Sequence, residues 1–324
     1  MQTRRLGGTD LHLTAVGLGT WAIGGTGWDY AWGPQEDADS IATIHRALEL
    51  GINWIDTAAV YGFGHAEEMV GKAIAGQRDK VIIATKCGLV WEAGATAPHG
   101  RLKAKSVKQE AEASLRRLNI DVIDLYQIHW PNPDGDVEEG WRAIADLVRE
   151  GKVRYGGVSN FNLGQLKRIL PIHPPASLQP PYSMIRREIE AELLPFCAAN
   201  NMGVVAYSPM QTGILTGGFT RERALNLPED DWRRRNAYFI EPQLSANLAL
   251  VEKLRPIAES HGRTVAQLAI AWILRRPEVT AAIAGARHPK QIEETAPAAD
   301  WALAKEDIAK IEELLSAREK VLNN

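Results

Sequence analysis

Three charged or ionisable side chains come directly after short apolar runs of the chain, and a phenol follows the first of them. The three residues are Asp56, Lys86 and His129, and the phenol is Tyr61, in the loop after Asp56. Such runs are typical of parallel strands buried on both faces, so a charged residue at the last position must extend beyond the packed layer. This arrangement predicts an active site at the mouth of an α/β barrel. The apolar runs span residues 52–55, 81–85 and 122–128.

The four side chains suit proton transfer to an oxygen atom. A phenol is a poor acid near neutral pH because its ordinary pKa is about 10. We expect the Lys86 ammonium to lower the pKa of Tyr61, and a fall to about 8 would correspond to about 2.7 kcal/mol. Asp56 would hold Lys86 charged and in place. Tyr61 would then donate a proton to a developing alkoxide, and His129 would hydrogen-bond the same oxygen.

The elements that must position these side chains alternate between strand-like and helical patterns along the chain. Eight strands with intervening helices predict an α/β fold, a parallel (β/α)8 TIM barrel, and the Gly7-Gly8 turn predicts an N-terminal β-hairpin that plugs it. We expect one domain over residues 1–324, with the hairpin at 1–13, the barrel at 14–295 and extra C-terminal helices at 296–324. The predicted strands span residues 14–18, 52–55, 81–85, 122–128, 153–158, 177–179, 203–207 and 279–284. The predicted helices span residues 36–50, 65–75, 105–118, 137–150, 162–170, 188–200, 245–260, 264–276, 288–295 and 305–317.

The composition disfavours several classes of function. The 324-residue chain has a formal net charge of −3, which gives no reason to expect nucleic acid or a membrane surface as a partner. Its first residues lack the apolar core of a signal peptide, and no stretch is long enough to span a bilayer. Cys87 and Cys197 give neither a disulfide framework nor metal-ligand spacing. We expect a cytoplasmic protein without a metal, and the oligomeric state stays open.

Motifs spread along the whole chain resemble those of the aldo-keto reductase family, in particular its bacterial and potassium-channel-β-like branch. The resemblance implies NAD(P)H-dependent reduction of an aldehyde or ketone, a small-molecule carbonyl substrate, and a catalytic tetrad of Asp56, Tyr61, Lys86 and His129. Each motif is weak alone, but their order and their places at strand ends are specific. The motifs are Gly19-Thr20-Trp21, Asp56-Thr57-Ala58, Tyr61-Gly62, Ala84-Thr85-Lys86, Ile128-His129-Trp130, residues 157–161, Gln179, Pro181-Tyr182, residues 206–209 and residues 284–287.

The resemblance also implies a cofactor site at the ends of the later strands. No Gly-x-Gly-x-x-Gly turn follows a strand and opens a helix, so a Rossmann site is not supported. Ser159, Asn160 and Gln179 suit the nicotinamide carboxamide, Tyr207 offers a flat face for the ring, and the turn at 208–213 resembles the family's pyrophosphate-binding loop. The candidate cofactor-binding residues are Thr20, Trp21, Asp56, Ser159, Asn160, Gln179, Tyr207, Ser208, Pro209, Met210, Gln211, Thr212, Gly213, Arg233, Gly285, Ala286, Arg287, Gln291 and Thr295.

Charges near the expected adenosine end bear on the choice between NADPH and NADH. Arg287 lies at the start of a helix after the last strand, where a guanidinium could form bidentate hydrogen bonds to an adenosine 2′-phosphate. Relatives often carry a lysine where this chain has Gly218, and an asparagine where it has Thr295, which weakens the case for a strict NADP preference. We expect NADPH, with NADH possible, and with Arg287 and Arg233 supplying the charge.

The run Arg233-Arg234-Arg235 has two interpretations. A run of like charges is usually a solvated face, and we favour that interpretation here. The functional alternative is that Arg233 reaches the pyrophosphate. The run lies in the long polar segment at 218–242, which follows the seventh strand and could close over the cofactor as a lid.

Aromatic residues in the loops predict the walls of a substrate cleft, because concave sites favour such side chains. They suit a sugar-like or flat carbonyl compound. Arg101 and Lys103 could recognise an anionic group, but solvated loop charges are the favoured interpretation. The candidate substrate-contacting residues are Trp21, Trp28, Trp32, Tyr61, Trp91, His129 and Trp130.

Two other functions stay open at this stage. A Schiff-base lyase or aldolase would use Lys86 as its nucleophile. Pairing with Asp56 opposes this, because the amine must be neutral to attack. A non-catalytic NADP-binding regulatory subunit, like the potassium-channel β subunits of the same family, would bind cofactor without turnover. The complete tetrad favours turnover.

Overall fold

A barrel of parallel strands forms the centre of the protein, and the computed structural model describes residues 1–229 and 231–323. The strands are β1 (Thr3–Arg5), β2 (His12–Thr14), β3 (Val16–Gly19), β4 (Trp54–Asp56), β5 (Ile82–Cys87), β6 (Leu89–Val90), β7 (His99–Gly100), β8 (Ile123–Ile128), β9 (Val153–Ser159), β10 (Ser177–Gln179), β11 (Gly203–Ala206) and β12 (Val279–Gly285). The helices are α1 (Asp37–Glu49), α2 (His65–Ala73), α3 (Ala104–Leu118), α4 (Val137–Arg149), α5 (Leu163–Ile169), α6 (Leu193–Ala199), α7 (Arg221–Leu225), α8 (Gln243–Glu259), α9 (Val265–Leu274), α10 (Pro289–Thr295) and α11 (Lys305–Asn323).

Eight of these strands close on themselves in the order β3-β4-β5-β8-β9-β10-β11-β12, and β12 pairs back onto β3. All neighbours in the barrel are parallel, with a helix between successive barrel strands. This architecture confirms the predicted (β/α)8 barrel. Parallel closure brings the carboxyl ends of all eight strands to one rim, which is where barrel enzymes carry their active sites.

The N-terminal hairpin plugs the barrel as predicted. Strands β1 and β2 pair antiparallel, and the leucines of the hairpin enter one apolar cluster with side chains of the barrel interior. Within it, Leu6, Leu11 and Leu13 are at most 2% exposed, and the indole N–H of Trp54 donates to the Thr14 carbonyl at 2.9 Å. The hairpin therefore seals the end away from the rim. That the hairpin, barrel and C-terminal helices form a single domain stays a prediction.

Several boundaries differ from the predicted ones. Strand β5 continues past residue 85 and includes Lys86, because a charge can lie inside the barrel when its side chain is paired. The helix predicted over 188–200 is a short turn at Glu188–Glu190 followed by α6. The segment at 218–242 contains α7 and short turns. Within the described residues, no helix is both long and apolar enough to cross a membrane.

Candidate active site

A cavity of about 1360 Å³ opens at the carboxyl-end rim of the barrel. It extends from the aromatic loop after β3, past the strand ends, to the N-terminal part of α9 and to α10. Strand ends around the rim contribute to its wall, which matches the predicted position of the site. These wall residues include Gly19, Asp56, His129, Ser159, Gln179, Tyr207 and Gly285.

The structure brings three members of the predicted tetrad into hydrogen-bond contact. Lys86 Nζ donates to Asp56 Oδ1 at 2.6 Å, to the Thr57 carbonyl at 2.9 Å and to the Tyr61 hydroxyl oxygen at 3.3 Å. Lys86 is 1% exposed and Asp56 is 3% exposed. Lys86 lies behind the cavity wall, whereas Tyr61 and Asp56 line the cavity. The ammonium can therefore stabilise negative charge on the phenol oxygen without meeting a substrate itself.

The direction of the Tyr61 pKa differs from the one predicted. Burial, with a smaller contribution from the Asp56 charge, raises the pKa of the phenol well above its ordinary value. Burial lowers the pKa of Lys86, and the Asp56 carboxylate opposes that effect. The expectation that Lys86 would make Tyr61 more acidic in this structure was wrong, because desolvation of the phenolate outweighs the lysine. Tyr61 consequently holds its proton at neutral pH.

The fourth member of the tetrad, His129, lies beside the phenol. The Tyr61 and His129 ring centroids are 5.7 Å apart, and the ring planes are nearly perpendicular at 80°. Burial, followed by the positive charge of Lys86, lowers the pKa of His129 well below its ordinary value. The imidazole is therefore neutral, with one ring N–H available as a hydrogen-bond donor. It lines the cavity next to Tyr61.

A hydrogen-bonded row of polar side chains continues from the tetrad along the later strands. Tyr207 donates its hydroxyl to Asn160 Oδ1 at 2.8 Å, and Asn160 Nδ2 donates to Ser159 Oγ at 3.1 Å. Ser159 Oγ in turn donates to the Gln179 carbonyl at 2.8 Å, and Gln179 Nε2 donates to Asp56 Oδ2 at 2.7 Å. Burial raises the pKa of Tyr207 to about 12. The predicted nicotinamide-side residues thus lie together beside the tetrad.

Sequence reasoning missed one buried member of this row, Gln127. Its Oε1 is 3.4 Å from Gln179 Nε2, and its own Nε2 has no hydrogen-bond partner within the part of the chain that the structure describes. A signal was present in the sequence, because Gln127 lies two residues before His129 on a strand. Alternate strand residues share a face, so a polar residue at that spacing points into the barrel.

Most of the remaining predicted cofactor residues line the far part of the cavity. Two do not: Thr20 is buried and donates to the Asp56 carbonyl at 3.2 Å, and Gln211 is buried and accepts from Ser183 Oγ at 2.9 Å. Both therefore support the wall from behind. The predicted residues that line this part are Ser208, Pro209, Met210, Thr212, Gly213, Arg233, Gly285, Ala286, Arg287, Gln291 and Thr295.

Arg287 is held in place by the loop that follows β3. Its Nε donates to Gln35 Oε1 at 2.7 Å, its Nη1 donates to the Trp32 carbonyl at 3.0 Å, and its Nη2 donates to the Pro34 carbonyl. Burial, followed by the charge of Arg233, lowers the pKa of Arg287. This clamp, formed by the loop at 32–35 around the Arg287 guanidinium, was not predicted because its two sides are separated by about 250 residues.

The interpretation of Arg233-Arg234-Arg235 as a solvated face was wrong at its first residue. Arg233 is 7% exposed, whereas the other two arginines are exposed. Arg233 Nε and Nη2 donate to both carboxylate oxygens of Asp231, and the guanidinium carbon lies 4.7 Å from the ring centroid of Trp32. Burial opposes ionisation of Asp231, but hydrogen bonds from Arg233 lower its pKa overall. Pairing with Asp231 is what allows the guanidinium to be buried.

Tryptophans cover the cavity, but one predicted substrate contact lies behind its wall. Trp91 stacks on Phe63, with ring centroids 4.9 Å apart, and does not line the cavity. Trp21 packs against Trp32 and Trp232 at 5.4 and 5.2 Å, so the loop after β3 meets the segment at 218–242 above the cavity. Whether that segment moves as a lid stays a prediction. The aromatic wall consists of Trp21, Trp28, Tyr30, Trp32, Tyr61, Trp130 and Trp232, together with His129.

The barrel, the strand-end tetrad and the adjoining polar row define the class of carbonyl oxidoreductases. The model of the aldo/keto reductase family matches residues 15–316. The chain belongs to this family, whose members are oxidoreductases that act on carbonyl compounds with NAD(P)H.

Relatives match over nearly the whole chain. Aldo-keto reductase YhdN of Bacillus subtilis (strain 168) is 40% identical, over 97% of this chain and 94% of that protein. The NADH-specific methylglyoxal reductase of Escherichia coli (strain K12) is 34% identical, over 97% and 98%. The glycerol dehydrogenase AKR11B4 of Gluconobacter oxydans is 38% identical, with a TM-score of 0.89 over 98% and 96% of the chains. An aldo-keto reductase of Klebsiella pneumoniae, solved with NADPH, is 29% identical, with a TM-score of 0.73 over 97% and 95%.

Proposed function

We propose that this protein reduces small, uncharged aldehydes or ketones with NADPH, and that Tyr61 is the proton donor. The observation that carries the proposal is the contact between the Tyr61 hydroxyl and the Lys86 ammonium at the cavity wall, 3.3 Å apart. Asp56 orients the ammonium, and His129 offers a neutral donor beside the phenol. All four side chains meet at one point of the rim.

The residues of the cavity fit a phosphorylated dinucleotide. Five arginines line the end away from the tetrad, which suits a pyrophosphate and a 2′-phosphate. Gly285 has no atom within 4 Å of the position of a β-carbon, so its backbone leaves open space for a ligand. Near the tetrad, Ser159, Asn160 and Gln179 supply the polar groups that a carboxamide needs, and Tyr207 supplies a ring face. The arginines are Arg223, Arg233, Arg255, Arg263 and Arg287.

NADPH is favoured over NADH because of Arg287. Three of its five N–H groups bond to the loop at 32–35, which holds the guanidinium rigidly at the cavity wall. A rigid guanidinium loses little conformational freedom when it binds a phosphate. One relative is NADH-specific, and a solved structure of another contains NADPH, so both nucleotides occur among similar proteins.

The proposed roles of the residues follow from their protonation states. The nicotinamide cofactor, when bound, supplies the hydride. His129 and Tyr61 hydrogen-bond the carbonyl oxygen and orient the substrate, since both carry hydrogen-bond donors at the cavity wall. As negative charge develops on that oxygen, Tyr61 transfers its hydroxyl proton to it. Lys86 stabilises the phenolate that remains, and Asp56 keeps Lys86 charged and in place.

The charge distribution supports an uncharged substrate. The wall near the tetrad is formed mainly by aromatic and small apolar side chains. Within the described residues no lysine lines the cavity, and none of its five lining arginines hydrogen-bonds or pairs with a tetrad residue. Arg101 is exposed outside the cavity, and Lys103 pairs with Asp136 and Glu139. A carboxylate on the substrate would therefore have no cationic partner there. Methylglyoxal and glycerol, which occur in the names of relatives, are both small and uncharged.

The first experiment measures oxidation of NADPH and of NADH by the purified protein with methylglyoxal, and the reverse reaction with NADP⁺ and glycerol. We expect turnover with at least one uncharged compound and a lower KM for NADPH than for NADH. Binding of both nucleotides without turnover on any carbonyl would contradict the proposal and favour a regulatory subunit. Borohydride-dependent attachment of substrate to Lys86 would instead indicate Schiff-base chemistry, which the three hydrogen bonds of Lys86 oppose.

A further inference from the structure

A buried carboxylate, Glu67, lies on the outer side of the strand that carries Lys86 and has no part in the proton transfer described above. It is 0% exposed, and both of its oxygens accept hydrogen bonds. Thr85 Oγ1 donates to Oε1 at 2.6 Å, and Arg117 Nε and Nη2 donate to Oε2 at 2.7 and 2.6 Å. Burying a charge without such partners costs much free energy, so this arrangement is highly constrained.

Glu67 connects the two segments that carry the phenol and the ammonium. It lies in the first turn of α2, which begins just after the Tyr61 loop, and the Ala66 N–H donates to the Tyr61 carbonyl at 3.2 Å. Its partner Thr85 directly precedes Lys86 in β5. Successive strand residues point to opposite faces, so Thr85 faces the helices while Lys86 faces the barrel interior. One hydrogen bond thus joins the helix after Tyr61 to the strand of Lys86.

Close packing of α2 against α3 leaves little room for the Glu67–Thr85 hydrogen bond to shift. A β-carbon at Gly64 would lie 2.7 Å from Arg117 Cδ, and one at Gly71 would lie 2.7 Å from the Arg117 carbonyl oxygen. Helix α2 therefore packs directly against the end of α3 that carries Arg117. The position of the Glu67 carboxylate is fixed from three sides, by α2, α3 and β5.

We propose that Glu67 is a positioning residue for the Lys86–Tyr61 pair, because it tethers β5 to α2 through Thr85 and places a second negative charge near the lysine. The inference rests on the proposed function, since positioning has meaning only if Tyr61 and Lys86 act together. A displacement of about 1 Å in a catalytic group can cost about a hundredfold in rate, so a tether of this kind matters for turnover.

The electrostatic part of the proposal agrees with the charges around the lysine. Burial lowers the pKa of Lys86, and the negative charges of Asp56 and Glu67 oppose this effect. Removing the Glu67 charge should make it easier for the Lys86–Tyr61 pair to lose a proton. The other ionisable groups that interact with Lys86 or Glu67 are Tyr61, Arg117, Tyr126, His129 and Tyr207.

The test compares three variants of the full chain. Glu67→Gln removes the charge, and Thr85→Val removes the tether while the charge stays. Glu190→Gln is the matched control, because Glu190 is another carboxylate that pairs with an arginine, Arg187, and accepts a tyrosine hydroxyl, yet it does not line the cavity. For each we would measure kcat across pH, the NADPH Kd from tryptophan quenching, and unfolding by denaturant.

We expect Glu67→Gln to lower kcat and to shift the alkaline limb of the kcat–pH profile to lower pH by about half a pH unit or more. Thr85→Val should lower kcat about tenfold, and the alkaline limb of its kcat–pH profile should stay at the wild-type pH. Both should keep the NADPH Kd within about twofold, because neither residue lines the cavity. Glu190→Gln should change stability alone.

Wild-type kcat and pH profile in Thr85→Val and in any folded Glu67→Gln would overturn the positioning role. The same kinetic changes in Glu190→Gln would overturn it too, because they would then reflect general destabilisation. If Glu67→Gln does not fold, Thr85→Val alone decides the tether. The Tyr61→Phe variant distinguishes failure of the proposed function from failure of this inference. If Tyr61→Phe is active, the proposed function is contradicted. If Tyr61→Phe is inactive but the Glu67 and Thr85 variants behave like wild type, only the positioning role of Glu67 is contradicted.

Discussion

Lys86 Nζ lies 3.3 Å from the Tyr61 hydroxyl oxygen and donates to it, while two shorter hydrogen bonds go to Asp56 Oδ1 and to the Thr57 carbonyl. The two shorter hydrogen bonds hold the Lys86 ammonium in place. In the longer one the Tyr61 oxygen is the acceptor, so the phenol keeps its own proton. Because burial raises the pKa of Tyr61, the phenol is protonated at neutral pH and can act as a proton donor. The lysine contributes when negative charge appears on the phenol oxygen.

The neutral state of His129 can be tested by titration. Burial and the Lys86 charge lower the pKa of His129 well below the ordinary histidine value of about 6.5, so the ring should stay neutral at neutral and mildly acidic pH. Histidine ring NMR signals, assigned with a His129→Asn variant, would report this directly. A His129 signal that titrates near pH 6.5 would contradict the neutral donor.

Arg287 should discriminate between the two nucleotides. Replacing it with alanine should cost NADPH about 1.5–3 kcal/mol more affinity than NADH, because only NADPH carries the 2′-phosphate. The variant also releases the loop at 32–35, so Gln35→Ala is the control: it loosens the clamp and keeps the charge. Nucleotide titrations of both variants give the ratio. An Arg287→Ala protein with the wild-type NADPH/NADH affinity ratio would remove Arg287 from phosphate recognition.

Glu110 should make stability depend on pH. It accepts from the Gly88 N–H at 2.8 Å and from Ser106 Oγ at 3.1 Å, yet burial raises its pKa from 4.5 to about 7. Between these two values the folded state holds a proton that the unfolded state has lost, so stability falls as pH rises from about 4.5 to about 7 and then levels off. Over the whole interval this contribution is about 3 kcal/mol.

Denaturant unfolding at pH 5, 6, 7 and 8 would check the Glu110 prediction. The stability of Glu110→Gln relative to wild type should increase by about 2–3 kcal/mol from pH 5 to pH 8, because glutamine keeps the hydrogen-bonding shape without a charge. Glu112→Gln, which changes a half-buried carboxylate on the same helix that pairs with Lys152, is the control. Parallel stability profiles for Glu110→Gln and wild type would show that Glu110 is not perturbed.

The barrel and the meeting of the tetrad were accessible from the sequence because both follow from strand ends. Once Asp56, Lys86 and His129 are placed at the ends of parallel strands, closure of the barrel brings them to one rim. The hairpin was equally accessible, since a Gly-Gly turn between two short alternating runs is a local signal. These features depend on local pattern and topology.

The features that were not predicted depend on contacts between distant segments. The sequence shows Lys86 beside a phenol but not how deeply the phenol is buried, so the direction of the Tyr61 pKa could not be derived. Arg233 is buried by Asp231 together with Trp32, which lies about 200 residues away. The Arg287 clamp likewise needs the loop at 32–35. Composition alone cannot supply such pairings.

The measurement that tests the account most directly is kcat of Tyr61→Phe for reduction of a carbonyl, together with its NADPH Kd. Phenylalanine keeps the ring and removes only the hydroxyl. We predict a loss of kcat of about a thousandfold or more, with the NADPH Kd within about twofold of wild type. A Tyr61→Phe protein that turns over within about threefold of the wild-type rate would contradict the account, because the proton would then come from another group.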